Sequence, residues 1–221
     1  MRVYLFDIDG TLIFSGGAGS AAVQLVLKEE FGLAEIKDGV AMTGRTDRVI
    51  LRDLFGLHHI DDTPENWQRF LSAYLQRLPE SLSTRSGGVL PGVGELLDRL
   101  AGMPDVAVGL LTGNVRDGAR VKLTHFGIFH HFRFGGFGDV HLDRDDVARS
   151  ALAETRARFG DVPTKQIWVI GDTPLDVQCA RAIGARVCAV ATGTHTRDEL
   201  AIAEPDLLLS DLSDAGALLD R

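Results

Sequence analysis

The apolar run from Val3 to Phe6 stops at Asp7-Ile8-Asp9-Gly10-Thr11, and this junction constrains the chain more than any other stretch. Four apolar residues suit a buried parallel strand. Side chains two apart on an extended chain point the same way, so Asp7 and Asp9 meet at the strand's carboxyl end. Two carboxylates that close repel unless a cation lies between them or one keeps its proton. Gly10 lets the chain turn away without steric cost. An isolated DxD can equally be an acidic turn after a strand; the longer string DxDGTL at an N-terminal strand end is more specific.

The rest of the chain sets that strand in an alternating pattern. Val106 to Leu111 is an apolar run ending at Thr112-Gly113-Asn114, and Ile167 to Ile170 is another, ending at Gly171-Asp172-Thr173-Pro174-Leu175-Asp176. Further strands are expected at Phe132–Phe134, Val187–Val190 and Leu207–Leu209. Helices are expected from Pro91-Gly92-Val93 to Leu100, from Gly118 to Phe126, from an Asp143 cap to Phe159, and from the Asp172–Asp176 cluster to Ile183. Continuous apolar strands separated by helices imply a parallel sheet covered on both faces. Ligands of such sheets gather at the strands' carboxyl ends. Three of those ends carry polar clusters here, so one site is expected.

Residues between Ser15 and about Ser86 read differently. Ser15–Ser20 is a glycine-rich loop suited to a hinge. Val23, Val26, Leu27 and Phe31 have near-helical spacing over Ala21–Phe31, and Gly32 ends that helix. Thr46 or Asp47 caps a second helix to about Phe55. Pro64 opens a third, through Trp67, Phe70, Leu71, Tyr74, Leu75 and Leu78. The aromatic residues in it read as core. The fold class is therefore α/β: a three-layer, Rossmann-like parallel-sheet core of residues 1–14 and 87–221 with an inserted all-helical cap of residues 15–86. Hinges are expected at Ser15–Ser20 and Arg85–Gly88.

With 45% hydrophobic and 24% charged residues the composition is that of a soluble globular protein. It has no run of about 18 apolar residues and no charged leader, so neither a membrane span nor an export signal is expected. A net charge of −8 disfavours general nucleic-acid binding. Cys179 and Cys188 lie in or beside apolar segments and suit a reducing, cytoplasmic setting. A monomer or homodimer with no membrane or nucleic-acid partner is the expectation.

Asp7-Ile8-Asp9-Gly10-Thr11, a helical insert, Leu111-Thr112-Gly113-Asn114, and Gly171-Asp172-Thr173-Pro174-Leu175-Asp176 follow one another in the order of a known family. The chain resembles the haloacid dehalogenase superfamily of phosphohydrolases, in the branch with a helical cap after the first motif, and is most similar to its phosphoglycolate phosphatase-type members. The resemblance implies an aspartyl-phosphate mechanism. Asp7 would be the nucleophile and Asp9 the general acid and base. Asp7, Asp172 and the Asp9 carbonyl would hold Mg²⁺, with Asp176 supporting it through water. Thr112 and the amides of Gly113 and Asn114 would bind phosphoryl oxygens.

Relatives often place a Lys-Pro before the helix that precedes the last motif; here that stretch is Leu142-Asp143-Arg144-Asp145. Arg144 and Lys122 are the candidates for the basic role, Lys122 favoured because a compact ammonium fits a crowded carboxylate site. Arg45, in the cap turn Thr43-Gly44-Arg45, suits bidentate pairing with a second anionic group such as a carboxylate. That points to a phosphoglycolate-like or sugar-phosphate substrate. Alternatives are a phosphosugar mutase of the same fold and a phosphometabolite-binding protein on a retired scaffold. A dehalogenase is disfavoured because it does not need Asp9, and a phosphonate hydrolase because Lys28 and Lys37, the insert's lysines, lack a convincing setting.

Overall fold

Strand β1 (Arg2–Phe6) is buried from Val3 onward and lies near the middle of a six-stranded parallel sheet. The computed structural model describes residues 1–220. After β1 the chain makes a short ribbon strand, β2 (Ile13–Phe14), then helices α1 (Ala18–Phe31), α2 (Asp47–Leu57) and α3 (Pro64–Ser83). It returns through β3 (Gly88–Val89), which pairs antiparallel with β2. There follow α4 (Val93–Ala101), β4 (Val106–Leu111), α5 (Arg116–His125), β5 (Gly135–Gly136), α6 (Arg144–Phe159), β6 (Ile167–Gly171) and α7 (Pro174–Ala182). The chain ends with β7 (Arg186–Val190), α8 (Arg197–Ile202), β8 (Leu207–Leu209) and the short α9 (Gly216–Leu219).

The sheet order is β5-β4-β1-β6-β7-β8. The chain builds outward from β1 to β4 and β5, then crosses back to β6, so direction reverses at β1. Its two neighbours are the strands that end in Thr112-Gly113-Asn114 and Gly171-Asp172. Adjacent strand ends at a reversal form a crevice, and this one gathers all three polar clusters.

Strand periodicity divides the core into two layers. Tyr4, Phe6, Leu110, Trp168 and Ile170 pack on one face with Leu96, Leu97 and Leu100 of α4. Val3, Leu5, Leu111, Ile167 and Val169 pack on the other with Val147, Ala148 and Ala151 of α6. Each fully buried large apolar side chain contributes about 1.5–3 kcal/mol relative to exposure. Helices α1–α3 have their own apolar cluster, which includes Leu27, Leu51, Phe55 and Leu78 and touches the sheet domain through Val115.

Caps explain most helix starts. Thr46, Thr63, Asp143 and Thr173 each accept a backbone N–H from the first turn of α2, α3, α6 and α7. Two expectations shift. Helix α1 begins at Ala18 and takes in the second half of the anticipated loop, because the left-handed turn falls at Gly16 and Gly17. Strand β5 lies at Gly135–Gly136 and not at Phe132–Phe134. Phe132 and Phe134 are buried, but Phe129–His131 form a 3₁₀ turn, and a Cβ at Gly136 would collide with the Val147 carbonyl of α6. Helix α3 also continues through Pro79 to Ser83.

Candidate active site

The carboxylates converge at the crevice. One oxygen from each of Asp7, Asp172 and Asp176 falls within 4.8 Å of the others, and all three residues are buried. Asp7 stands at the end of β1, its N–H bonded to the Ile170 carbonyl at 2.9 Å. Asp172 follows β6 and is held by the Thr11 hydroxyl, 3.0 Å from its Oδ1. A Cβ at Gly10 or Gly193 would run into the Asp172 carboxylate, so both glycines are needed for its room. Asp176 belongs to the first turn of α7, where its Oδ2 accepts from the Thr173 N–H and hydroxyl in a capping box.

Two cations enter this cluster, at different carboxylates. Arg144, 5% exposed at the start of α6, ion-pairs with Asp176 and lies 3.2 Å from Asp7 Oδ1. Lys122, on α5, donates to Asp9 Oδ2 and to Asn114 Oδ1, both at 2.6 Å. The sequence favours Lys122 only narrowly for the basic role. The geometry separates them: Arg144 serves the Asp7 side, and Lys122 the Asp9 side.

Burial pushes the Asp7 carboxyl up to about 6, with Arg144 and a Thr112 hydrogen bond pulling the other way. Burial and the Asp176 and Asp7 charges push Asp172 up to about 8. Burial also acts to raise Asp9, but the Lys122 charge and hydrogen bonds from Lys122, Asn114 and Ser15 hold it below the usual carboxylate range. Asp9 is therefore the ready anion, whereas Asp7 and Asp172 hold their protons chiefly because they are buried, with the Asp176 charge adding to the effect.

Four carboxylates against two cations leave two negative charges uncompensated when all are ionised. The Asp7 Oδ1 atom is buried without an aligned hydrogen-bond donor. An all-oxygen, over-charged cluster with an orphaned carboxylate oxygen fits a hard divalent cation. Asp176 is already committed through both oxygens to Thr173 and Arg144, so it is less free to ligate than Asp7 or Asp172.

The loop after β4 contributes donors. Thr112 is fully buried, and its Oγ1 accepts from Asn114 N and Nδ2 at 3.3 and 3.0 Å, which leaves its own O–H to donate. Asn114 Nδ2 also donates to Asp9 Oδ2 at 2.9 Å. Asn114 thus enters the site through its side chain, where the sequence reading gave it an amide role. Gly113 is required for close approach: a Cβ there would strike the Arg45 carbonyl.

Arg45 reaches the cavity wall, but its guanidinium is spent elsewhere. It donates to Asp53 Oδ2 at 2.5 Å and to the Ala41 carbonyl at 2.9 Å. Asp53 lies two helical turns along α2, a partner that the turn motif alone does not reveal. Two site residues escaped the sequence reading as such. Asp47 docks α2 on the loop after β4, its N–H donating to the Gly113 carbonyl at 2.7 Å and its Oδ2 accepting from Val115 N–H at 2.8 Å. Thr192, just past β7, donates to the Gly10 carbonyl at 2.6 Å and steadies the turn after Asp9.

A Rossmann-like core whose three central strand ends carry paired aspartates, a Thr-Gly-Asn turn and a Gly-Asp turn defines a class of α/β hydrolases built for phosphoryl chemistry. The chain belongs to the haloacid dehalogenase-like hydrolases, whose family model matches residues 4–190. A phosphoglycolate phosphatase of Synechococcus elongatus is 30% identical over 216 residues, covering 97% of this chain and 95% of that one. A validoxylamine A 7'-phosphate phosphatase of Streptomyces hygroscopicus subsp. limoneus is 29% identical, covering 96% and 95%. The fold is shared with CbbY of Rhodobacter sphaeroides, solved with phosphate, at a TM-score of 0.76 and 23% identity over the full length of both chains.

Proposed function

We propose that the protein is a Mg²⁺-dependent phosphomonoester hydrolase working through an aspartyl-phosphate on Asp7. The observation that carries this reading is the buried Asp7–Asp172–Asp176 cluster, more negative than Arg144 alone can balance, beside an anionic Asp9. Asp7, Asp172 and the Asp9 carbonyl would hold the ion, backed by Asp176. When bound, Mg²⁺ offsets the excess charge and draws electron density from the phosphoryl oxygens.

Asp7 attacks phosphorus, forming the acyl-phosphate bond as the ester P–O bond breaks. As the negative phosphate beside it raises its proton affinity from the depressed value of the free site, Asp9 takes up a proton from solvent and gives it to the departing oxygen. Asp9 then takes a proton from water, which attacks phosphorus and releases inorganic phosphate with Asp7 restored. Arg144 and the Thr112 hydroxyl sit against the phosphoryl oxygens, and Lys122 and Asn114 orient Asp9. Helices α1–α3 form a cap over residues 15–86, hinged at Ser15–Gly17 and Arg85–Gly88, which excludes bulk water on closure. We place the enzyme in the cytoplasm, as suits two buried thiols. Among the described residues no helix is long and apolar enough to cross a membrane.

The test is phosphate release from phosphomonoesters with and without Mg²⁺. Stoichiometric release that Asp7→Asn abolishes supports the hydrolase. Isomerised ester without free phosphate would instead identify a mutase.

A further inference from the structure

The cavity over the carboxylates has a volume of about 410 Å³, a size typical of sites for drug-sized ligands and larger than a phosphorylated two-carbon acid requires. Its two ends differ in chemistry. The floor is Asp7, Asp9 and Asp172 with Lys122, Asn114 and Arg144. The roof lies among α1, α2, α3 and the loop before α2, and is made by Val23, Met42, Ile50, Leu54, Trp67 and Leu71. No charged side chain of α1 or α3 lines it. Phe70 and Tyr74 complete the α3 wall, their rings stacked at 5.9 Å.

A second anionic group on a substrate would need a cation in that roof. Among the described residues the cations lining the cavity are Arg45, Lys122 and Arg144. Lys122 is bound to Asp9, Arg144 to Asp7 and Asp176, and Arg45 to Asp53. A carboxylate pressed against Leu54, Trp67 and Leu71 would lose water without a free cation to meet it, and the Ser20, Thr43 and Tyr74 hydroxyls are too few to replace the water around a sugar's hydroxyl array. An apolar group would gain from the same burial.

Resting on the phosphomonoesterase reading, we infer that the substrate's alcohol part is an extended apolar body, aliphatic or aromatic, seated among α1–α3 with its phosphate on the carboxylates. Val23, Trp67 and Leu71 then select substrates by size and hydrophobicity.

The experiment compares ethyl, butyl and hexyl phosphate and 2-phenylethyl phosphate with phosphoglycolate and glucose 6-phosphate, using the whole protein with Mg²⁺. The expected result is a kcat/KM that rises about fourfold per methylene along the alkyl series, with the hexyl and phenylethyl esters above both polar ones. Val23→Trp, which fills the roof, should cut hexyl phosphate turnover about tenfold more than ethyl phosphate turnover. Leu71→Gln, at a half-buried position, makes the same comparison should Val23→Trp not fold. A flat alkyl series, or phosphoglycolate or glucose 6-phosphate at or above the hexyl ester, overturns the inference while leaving a metal-dependent hydrolase. If no ester is turned over, the hydrolase reading fails, and calorimetry with hexylphosphonate and ethylphosphonate decides the roof: tighter hexyl binding upholds it, equal binding overturns it.

Discussion

Lys122 Nζ lies 2.6 Å from Asp9 Oδ2, joining α5 to the end of β1 across 113 residues of sequence. The Lys122 side chain is 6% exposed while the Asp9 side chain is 40% exposed and lines the cavity, so the carboxylate keeps an open side beside the lysine. Burial works against the lysine's charge, but Asp9, Tyr74 and Asp47 hold its proton more firmly than usual. The pair fixes the protonation state of one partner and the orientation of the other.

Replacing Lys122 by Met removes the main influence holding Asp9 below the usual carboxylate range. The acid limb of the pH–rate profile should move upward, with kcat falling about 10²-fold as general acid–base geometry is lost. A change confined to KM, with the acid limb unmoved, would show that Lys122 contacts substrate without tuning Asp9.

Asp7→Asn should reduce phosphate release by at least about 10³-fold, because the amide cannot form the acyl-phosphate. The same change should raise the melting temperature of the metal-free protein. It removes one carboxylate from a cluster whose members, Asp7 and Asp172, are pushed up to about 6 and about 8. Loss of activity with loss of fold would contradict the second part.

The sheet was legible because its strands are continuous apolar runs, and the site was legible because three of those runs end in polar residues on neighbouring strands. Such signals are local. What sequence did not carry depends on packing at a distance. Gly135 and Gly136 have no strand propensity, yet they pair with Leu110 and Leu111, whereas Phe132 and Phe134 fill the core outside any strand. The sequence separates Lys122 from Arg144 only narrowly because α5 and α6 both return to the same crevice. The Asp53 partner of Arg45 is not legible because an arginine in a turn says nothing of an aspartate eight residues on.

Arg45→Ala should therefore leave KM for phosphoglycolate essentially unchanged. Its partner Asp53 is about a third exposed, so the ion pair's loss should cost under about 1 kcal/mol of stability. Steady-state kinetics and thermal melts read both. A rise of tenfold or more in KM for phosphoglycolate, against a neutral ester as control, would return Arg45 to substrate binding.

Metal-free stability should fall as pH rises. Asp7 and Asp172 have folded values above those of the unfolded chain, so the native state holds protons that the unfolded state has released between about pH 4 and 8. Unfolding free energy then declines through that window. Mg²⁺ should reverse the trend, stabilising more at pH 8 than at pH 5, because it binds the ionised cluster. Thermal melts in chelator and in excess Mg²⁺ at both pH values provide the comparison; a Mg²⁺ shift that is equal or larger at pH 5 would argue against the aspartates as its ligands.

Asp47 supplies both bonds by which α2 docks on the loop after β4, and the two differ in what substitution can remove. Its N–H to Gly113 survives any side-chain change; the Val115 N–H to Oδ2 bond does not survive alanine. Burial pushes the Asp47 carboxyl up to about 6, with Lys122 and the Val115 bond opposing, so the anionic acceptor is weakened below that pH. Asp47→Ala leaves a buried donor unpaired at the start of α5, at a cost of about 1–3 kcal/mol to the docked arrangement. Asp47→Asn retains a carbonyl acceptor and should cost less. Amide hydrogen exchange at Val115 distinguishes them: about tenfold faster in the alanine variant, near native in the asparagine variant. Unchanged exchange in both would mean that the cap is held by its apolar contacts alone, among them the packing of Val115 against the α1–α3 cluster.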